Sequence, residues 1–244
     1  MTTVKGVLFD FSGTLMRMES AESWLRAVVD ASGTTLDDAR TARLAAALER
    51  AGALPGGPSP AELPGELAEL WALRDRDAAR HREVYTGLAR RVPLPRPEWY
   101  DALYDRHMTA EAWSPYPDAA EVLARLHGGG TRIGVLSNIG WDLRPVLRAH
   151  GLDRYVDRYV LSFEHGVQKP DPKLFAIACE ALDLAPSDVL MVGDDRTADG
   201  GATALGCGYL PVDHLPVDRR PDGLRPVLDL VGRSAADEHG TSHS

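Results

Sequence analysis

The stretch Val4-Lys5-Gly6-Val7-Leu8-Phe9-Asp10-Phe11-Ser12-Gly13-Thr14-Leu15 decides how the rest of the chain is read. Val4 to Phe9 is a short, mostly apolar run that stops at Asp10 and is soon followed by Gly-Thr. That order predicts a buried strand emptying into a loop. The same pattern recurs downstream. Arg132–Leu136 ends in Ser137-Asn138, Asp188–Val192 ends in Gly193-Asp194-Asp195, and a weaker run, Tyr155–Leu161, ends in Ser162. Helical patterns lie between them, at Pro117–Leu126, Asp142–His150 and Pro172–Leu182. Strands alternating with helices predict an α/β fold, a Rossmann-like parallel sheet covered on both faces. Ligands of such sheets bind beyond the carboxyl ends of the strands. Three of these strands end there in groups able to do chemistry, which points to one shared site.

Residues 19–104 read differently. Ser20–Ala31, Leu36–Ala51 and Ala61–Arg90 are rich in Ala, Leu, Arg and Glu, and no stretch between them reads as a strand. A Pro/Gly-rich segment, Gly52–Pro60, interrupts them as a loop. The expected division is a core of residues 1–18 and 105–232, a helical insertion over 19–104, and a disordered tail over 233–244. No internal repeat is visible.

With 244 residues and 44% hydrophobic side chains, the chain can bury a sizeable core. A formal charge of −9 without a dense Lys/Arg block excludes non-specific nucleic-acid or anionic-membrane binding as the main role. No apolar run approaches the roughly 20 residues needed to span a bilayer, and Met1-Thr2-Thr3-Val4-Lys5 lacks the layout of a secretion signal. Cys179 and Cys207 are too few for a disulfide framework and suit a reducing, cytoplasmic setting. Lysine occurs only at positions 5, 169 and 173 against an arginine-rich background, which makes Lys169 conspicuous.

The run Phe9-Asp10-Phe11-Ser12-Gly13-Thr14-Leu15 resembles the first motif of the haloacid dehalogenase superfamily, a strand followed by D-x-D-G-T. Val135-Leu136-Ser137-Asn138 is similar to its second motif, Lys169-Pro170-Asp171-Pro172 to its third, and Val192-Gly193-Asp194-Asp195 through Asp199 to its fourth. The four occur in the family's order, and family members often carry a helical cap where this chain has its insertion. The resemblance implies a Mg²⁺-dependent hydrolase of phosphatase type, acting on a small phosphorylated metabolite through an aspartyl-phosphate on Asp10. It implies metal ligation by the Asp10 carboxylate, the Ser12 main-chain carbonyl and Asp194, with Asp195 or Asp199 assisting. Lys169 would balance the carboxylates and the phosphoryl oxygens, Ser137 and Asn138 would meet the substrate, and Thr14 would orient the loop after Asp10. The physical logic is that a carboxylate can attack an anionic phosphate once a cation with hard oxygen ligands offsets their repulsion.

Ser12 departs from the pattern. Most phosphatases of the family place a second Asp there, to protonate the leaving group and then activate water. Proton transfer of that kind contributes about 10²–10⁴-fold. Three readings stay open: a substrate with a good leaving group, a replacement acid from the cap, or a long-lived covalent intermediate. A catalytically weakened family member that binds a phosphometabolite or protein, and a dehalogenase-like reaction at carbon, are the alternatives. Retention of Asp194, Asp195 and Asp199 favours the metal-dependent branch. Arg17, Trp24, Arg26, His81 and Arg82 are the insertion's candidates for meeting an anionic or aromatic substrate.

Overall fold

A computed structural model describes residues 4–239. Its strands are β1 (Gly6–Phe9), β2 (Met16–Met18), β3 (Trp113–Pro115), β4 (Arg132–Ser137), β5 (Arg158–Leu161), β6 (Val189–Gly193) and β7 (Gly208–Pro211). Five form a parallel sheet in the order β5-β4-β1-β6-β7, and β2 and β3 make a separate antiparallel pair. β1 sits at the centre. The chain builds outward from it to β4 and β5, then returns to build β6 and β7 on the other side. That reversal beside β1 is where a doubly wound sheet opens a crevice.

Successive strand residues face opposite sides, as the period of two requires. Val7, Phe9, Ile133, Val135, Leu190 and Val192 pack into one core with α6 (Ala119–Gly128) and α7 (Arg144–Ala149). Leu8, Leu136, Val189 and Met191 pack into the other against α9 (Pro172–Ala181). Pro172 at the first helical position and Asp171, whose carboxylate accepts from the Lys173 N–H at 2.9 Å, start α9 where the sequence places it. The sheet covered on both faces is therefore the one expected.

Between β2 and β3 come α1 (Ala21–Ala31), α2 (Asp38–Arg50), α3 (Ala68–Ala72), α4 (Ala78–Ala89) and α5 (Trp99–His107). The long helical pattern over Ala61–Arg90 does not form one helix. Pro64-Gly65 opens a short 3₁₀ turn, α3 follows, and a second 3₁₀ turn covers Arg74–Arg76. Asp77 then caps α4, its carboxylate accepting from the N–H groups of Ala79 and Arg80, and so forces a fresh start. The weak strand at Tyr155–Leu161 begins only at Arg158, because Asp153–Tyr155 closes a 3₁₀ turn. β2 and β3 are too short to show a period, and the sequence revealed neither them nor the half-exposed β7.

A short helix α8 (Ser162–His165) follows β5, and α10 (Pro226–His239) closes the described chain. α10 corrects the expected disordered tail: helix extends through 233–239, while residues 240–244 lie outside the described residues. Among the described residues no helix is long and apolar enough to cross a membrane.

Candidate active site

The register puts three strand ends level. Phe9 lies opposite both Val135 and Val192, and the Asp10 N–H donates to the Val192 carbonyl at 2.9 Å. Asp10, Ser137 and Asp194 therefore emerge side by side, with no side-chain reach needed to bring them together.

Lys169 arrives from the loop before α9 and is 3% exposed. Its Nζ donates to Asp10 Oδ1 at 2.8 Å, to Asp199 Oδ1 at 2.6 Å and to the Leu136 carbonyl at 3.0 Å. All three ammonium donors are satisfied, which is what an otherwise costly buried charge needs. Asn138 fixes this lysine's backbone from both sides: its amide donates to the Lys169 carbonyl at 2.9 Å and accepts from the Lys169 N–H at 2.7 Å. It thereby positions Lys169 while also lining the cavity. Ser137 is buried and lines the cavity together with Asp10.

Burial pushes the Asp10 carboxyl up to about 7, an effect that Lys169 opposes and that Asp199 and Asp194 reinforce. Asp199 is raised for the same leading reason. Burial by itself would lower Lys169, yet Asp10 and Asp199 outweigh it and hold the ammonium protonated well above the usual lysine range. One cation thus serves several carboxylates, an electrostatic deficit that a second cation would relieve.

Oxygens of Asp10, Asp194 and Asp199 lie within 4.8 Å of one another. Asp195 does not join them. It is exposed, and its Oδ1 accepts from the N–H groups of Thr197 and Ala198 at 2.8 and 2.9 Å while its own N–H donates to Asp199 Oδ2 at 3.0 Å. It shapes the turn that presents Asp199. Thr14 is fully buried behind the site and lies 3.4 Å from Asp194 Oδ1, outside the cavity wall; it orients Asp194 and makes no substrate surface.

Two residues absent from the sequence reading complete this wall. His214 Nδ1 pairs with Asp194 Oδ2 at 2.5 Å. Arg220, 4% exposed, donates to the carbonyls of Gly13, Thr14 and Asp213 and lies 3.2 Å from the centre of the Tyr116 ring. It fastens the loop that follows Asp10. Nothing local in the sequence distinguishes Arg220 from the other arginines. Gly13 belongs to the same arrangement: its φ is +79°, and a Cβ there would meet Asp194 Oδ2 at 2.4 Å.

The cavity over these groups has a volume of about 250 Å³. Phe11, Trp113 and Trp141 form an aromatic cluster along it, with ring centres 4.6 to 6.1 Å apart. The helical block supplies Gly56 from the Gly52–Pro60 loop, together with Trp71, Arg74, Asp75, His81 and Tyr85. Of the insertion residues considered from sequence, only His81 reaches the cavity. The Trp24 indole is buried and donates to the Leu103 carbonyl, Arg26 pairs with Glu22 and Asp38, Arg82 pairs with Asp101 and Asp105, and Arg17 lies against His214.

Residues 4–204 match the model of the haloacid dehalogenase-like hydrolases, in the motif order that the strand-end site requires. The chain belongs to that family. Among relatives of this hydrolase, (S)-2-haloacid dehalogenase 4A of Burkholderia cepacia is 35% identical over 144 residues, 58% of each chain. Ribulose-1,5-bisphosphate 5-phosphatase of Halopiger xanaduensis is 37% identical over 131 residues, 52% of each. A solved dehalogenase structure superposes with a TM-score of 0.61 at 27% identity, covering 86% of this chain and 84% of that one. The chain spans between about 40% and two thirds of the length of the curated relatives it matches. Both dehalogenases and phosphatases thus stand among the relatives of this HAD-like hydrolase.

Proposed function

We propose that this hydrolase is a cytoplasmic, magnesium-dependent phosphoric monoester hydrolase for a small phosphorylated metabolite, with Asp10 as nucleophile. The observation that carries the reading is the gathering of Asp10, Asp194 and Asp199 oxygens within 4.8 Å around a single lysine. An all-oxygen donor set of this kind suits a hard divalent cation, and a carbon-centred displacement has no use for so much negative charge. Asp10 and Asp194, with the Ser12 carbonyl and assistance from Asp199, would hold the ion. It would neutralise the encounter between carboxylate and phosphate.

The protein's own groups do the rest. Lys169 keeps Asp10 oriented and offsets the charge of the phosphoryl oxygens, and Asn138 holds Lys169 at the right height. Ser137 and adjacent main-chain N–H groups would bind the transferred group. The carboxylate of Asp10 attacks phosphorus, and water later cleaves the acyl phosphate.

Displacement at carbon, as in a dehalogenase, is the second reading, supported by the aromatic lining of Phe11, Trp113 and Trp141. Phosphate release from p-nitrophenyl phosphate should require Mg²⁺ and stop with chelator. Asp10→Asn should lower it by about 10⁴-fold or more, as loss of a nucleophile does. Chelator-insensitive halide release from a 2-haloacid, without phosphatase activity, would overturn the proposal in favour of the second reading.

A further inference from the structure

We propose that Asp75, from the helical wall, carries out the proton transfers for which position 12 offers only a serine. The inference deepens the phosphatase reading and rests on it.

Asp75 lies in the 3₁₀ turn Arg74–Arg76, held by the sheet domain at two points. The Ser162 hydroxyl donates to the Asp75 carbonyl, and Gln168 Nε2 donates to the Ala72 carbonyl at 3.0 Å. Ser162 follows β5, and Gln168 immediately precedes Lys169. The turn is therefore tied to the same loops that set the strand-end wall. Its carboxylate lines the cavity shared with Asp10 and Ser12 and is only 4% exposed in the residue as a whole. It enters from the helical side, whereas the nucleophile enters from the sheet. For an in-line displacement the leaving oxygen departs away from the nucleophile, toward that helical side.

The carboxylate's surroundings do not fit a purely structural ion pair. A good Arg–carboxylate pair is a hydrogen-bonded fork at about 2.7–2.9 Å. Here Arg74 Nε is 3.5 Å from Oδ2, and His81 Nε2 is 3.7 Å from Oδ1. Buried Arg74 Nε has no hydrogen-bond partner. Arg74 is otherwise held by Trp71, stacking 4.0 Å from its ring centre and donating to its carbonyl at 2.8 Å. A slight closure would let Arg74 pair with Asp75 once Asp75 is ionised. In the free state burial keeps the Asp75 carboxyl above the usual range, against the pull of Arg74 and Lys169.

The other proton donors of that wall fit less well. His81 is engaged with the Tyr104 hydroxyl at 2.7 Å, and burial drives it well below the usual histidine range. Tyr85 is raised by burial. Asp75 is the carboxyl group this wall brings to the cavity.

The steps balance as follows. An Asp10 oxygen bonds to phosphorus as the ester P–O bond breaks, and the departing oxygen takes the Asp75 proton, giving the alcohol and an Asp75 carboxylate. Water then bonds to phosphorus while passing a proton to Asp75. The Asp10–P bond breaks, releasing inorganic phosphate and restoring both aspartates to their starting states.

The test is a pre-steady-state comparison of p-nitrophenyl, phenyl and benzyl phosphate with Mg²⁺, in wild type and Asp75→Asn. Loss of the acid should slow release of benzyl alcohol by about 10²–10⁴-fold. The nitrophenol burst should survive nearly unchanged, because that leaving group needs no proton, and slow turnover should follow it. An equal loss of the first step for every leaving group, or no loss for any, would overturn the Asp75 assignment while leaving the phosphatase reading intact. Should wild type release no phosphate from any ester, both fail together. Asp75→Glu provides a second variant if the amide does not fold: it must keep the wild-type ranking of leaving groups, and a benzyl-specific collapse of the burst is excluded for a retained acid.

Discussion

The two walls of the cavity are built on opposite principles. The sheet wall concentrates charge and satisfies it: Lys169 has three acceptors, Asn138 bonds twice, and Arg220 fastens the loop beneath Asp10. The helical wall buries rings and neutral groups around a few loosely held polar atoms, with His81 stacked on His107 at 5.7 Å and Arg74 standing off from Asp75. The first arrangement fixes atoms, as electrostatic preorganisation demands. The second leaves room to adjust to what enters. The sheet wall is therefore the more rigid of the two, and the helical wall the more adaptable.

Lys169→Met breaks the sheet wall most severely. It leaves Asp10 and Asp199 buried without their cation, so stability should fall by about 3–5 kcal/mol. Urea unfolding measures the loss, and added Mg²⁺ should recover part of it; an unchanged midpoint would show that the carboxylates do not depend on this lysine.

Gly56→Ala probes the meeting of the walls. Gly56 has φ +76°, and a Cβ there would come within 2.8 Å of Ser12 Oγ. Left-handed backbone costs a non-glycine residue about 1–2 kcal/mol. If that strain is relieved by retreat of the loop, kcat/KM should drop roughly tenfold with little change in Tm. A fall in Tm alone would mean that the loop stays in place.

A pH titration separates the walls. Burial lowers His107 to about 3 from an ordinary 6.5, so the unfolded chain takes up a proton between those values that the folded chain refuses. Acidification through that window therefore destabilises the fold by up to about 1.4 kcal/mol per pH unit from this residue. The sign for Asp10 is opposite, because its folded value of about 7 exceeds its ordinary 3.8, and lowering the pH through that range favours the folded state. In His107→Gln the stability deficit relative to wild type should shrink as pH falls below 6.5. A constant deficit would show that His107 titrates normally.

The sheet wall was legible in the sequence because each of its groups follows an apolar run or lies in a short motif. Asp10, Ser137 and Asp194 need only the register of neighbouring strands to meet. Lys169 stands out as one of three lysines. Roles were less legible than positions: Asn138, Thr14 and Asp195 sit where expected but bond to protein neighbours. The helical wall was largely hidden. Asp75 lies inside Arg74-Asp75-Arg76-Asp77, which reads as a charged helix face until the Asp77 cap and the 3₁₀ turns break the periodicity. Arg220 acts across 207 residues of chain and His214 across 20, both beyond any local pattern.

Arg220 has a consequence for where this enzyme can be cut. The four motifs end by Asp199 and the family match at residue 204, yet the guanidinium that grips the Gly13 and Thr14 carbonyls comes 16 residues later. Its own segment is moored to Asp118, which accepts from the Leu224 and Arg225 N–H groups at 2.7 and 3.2 Å. A fragment trimmed to the recognisable signature would keep every named catalytic side chain and lose the brace under its nucleophile. The brace beneath the Asp10 loop thus lies beyond the sequence signature of the family.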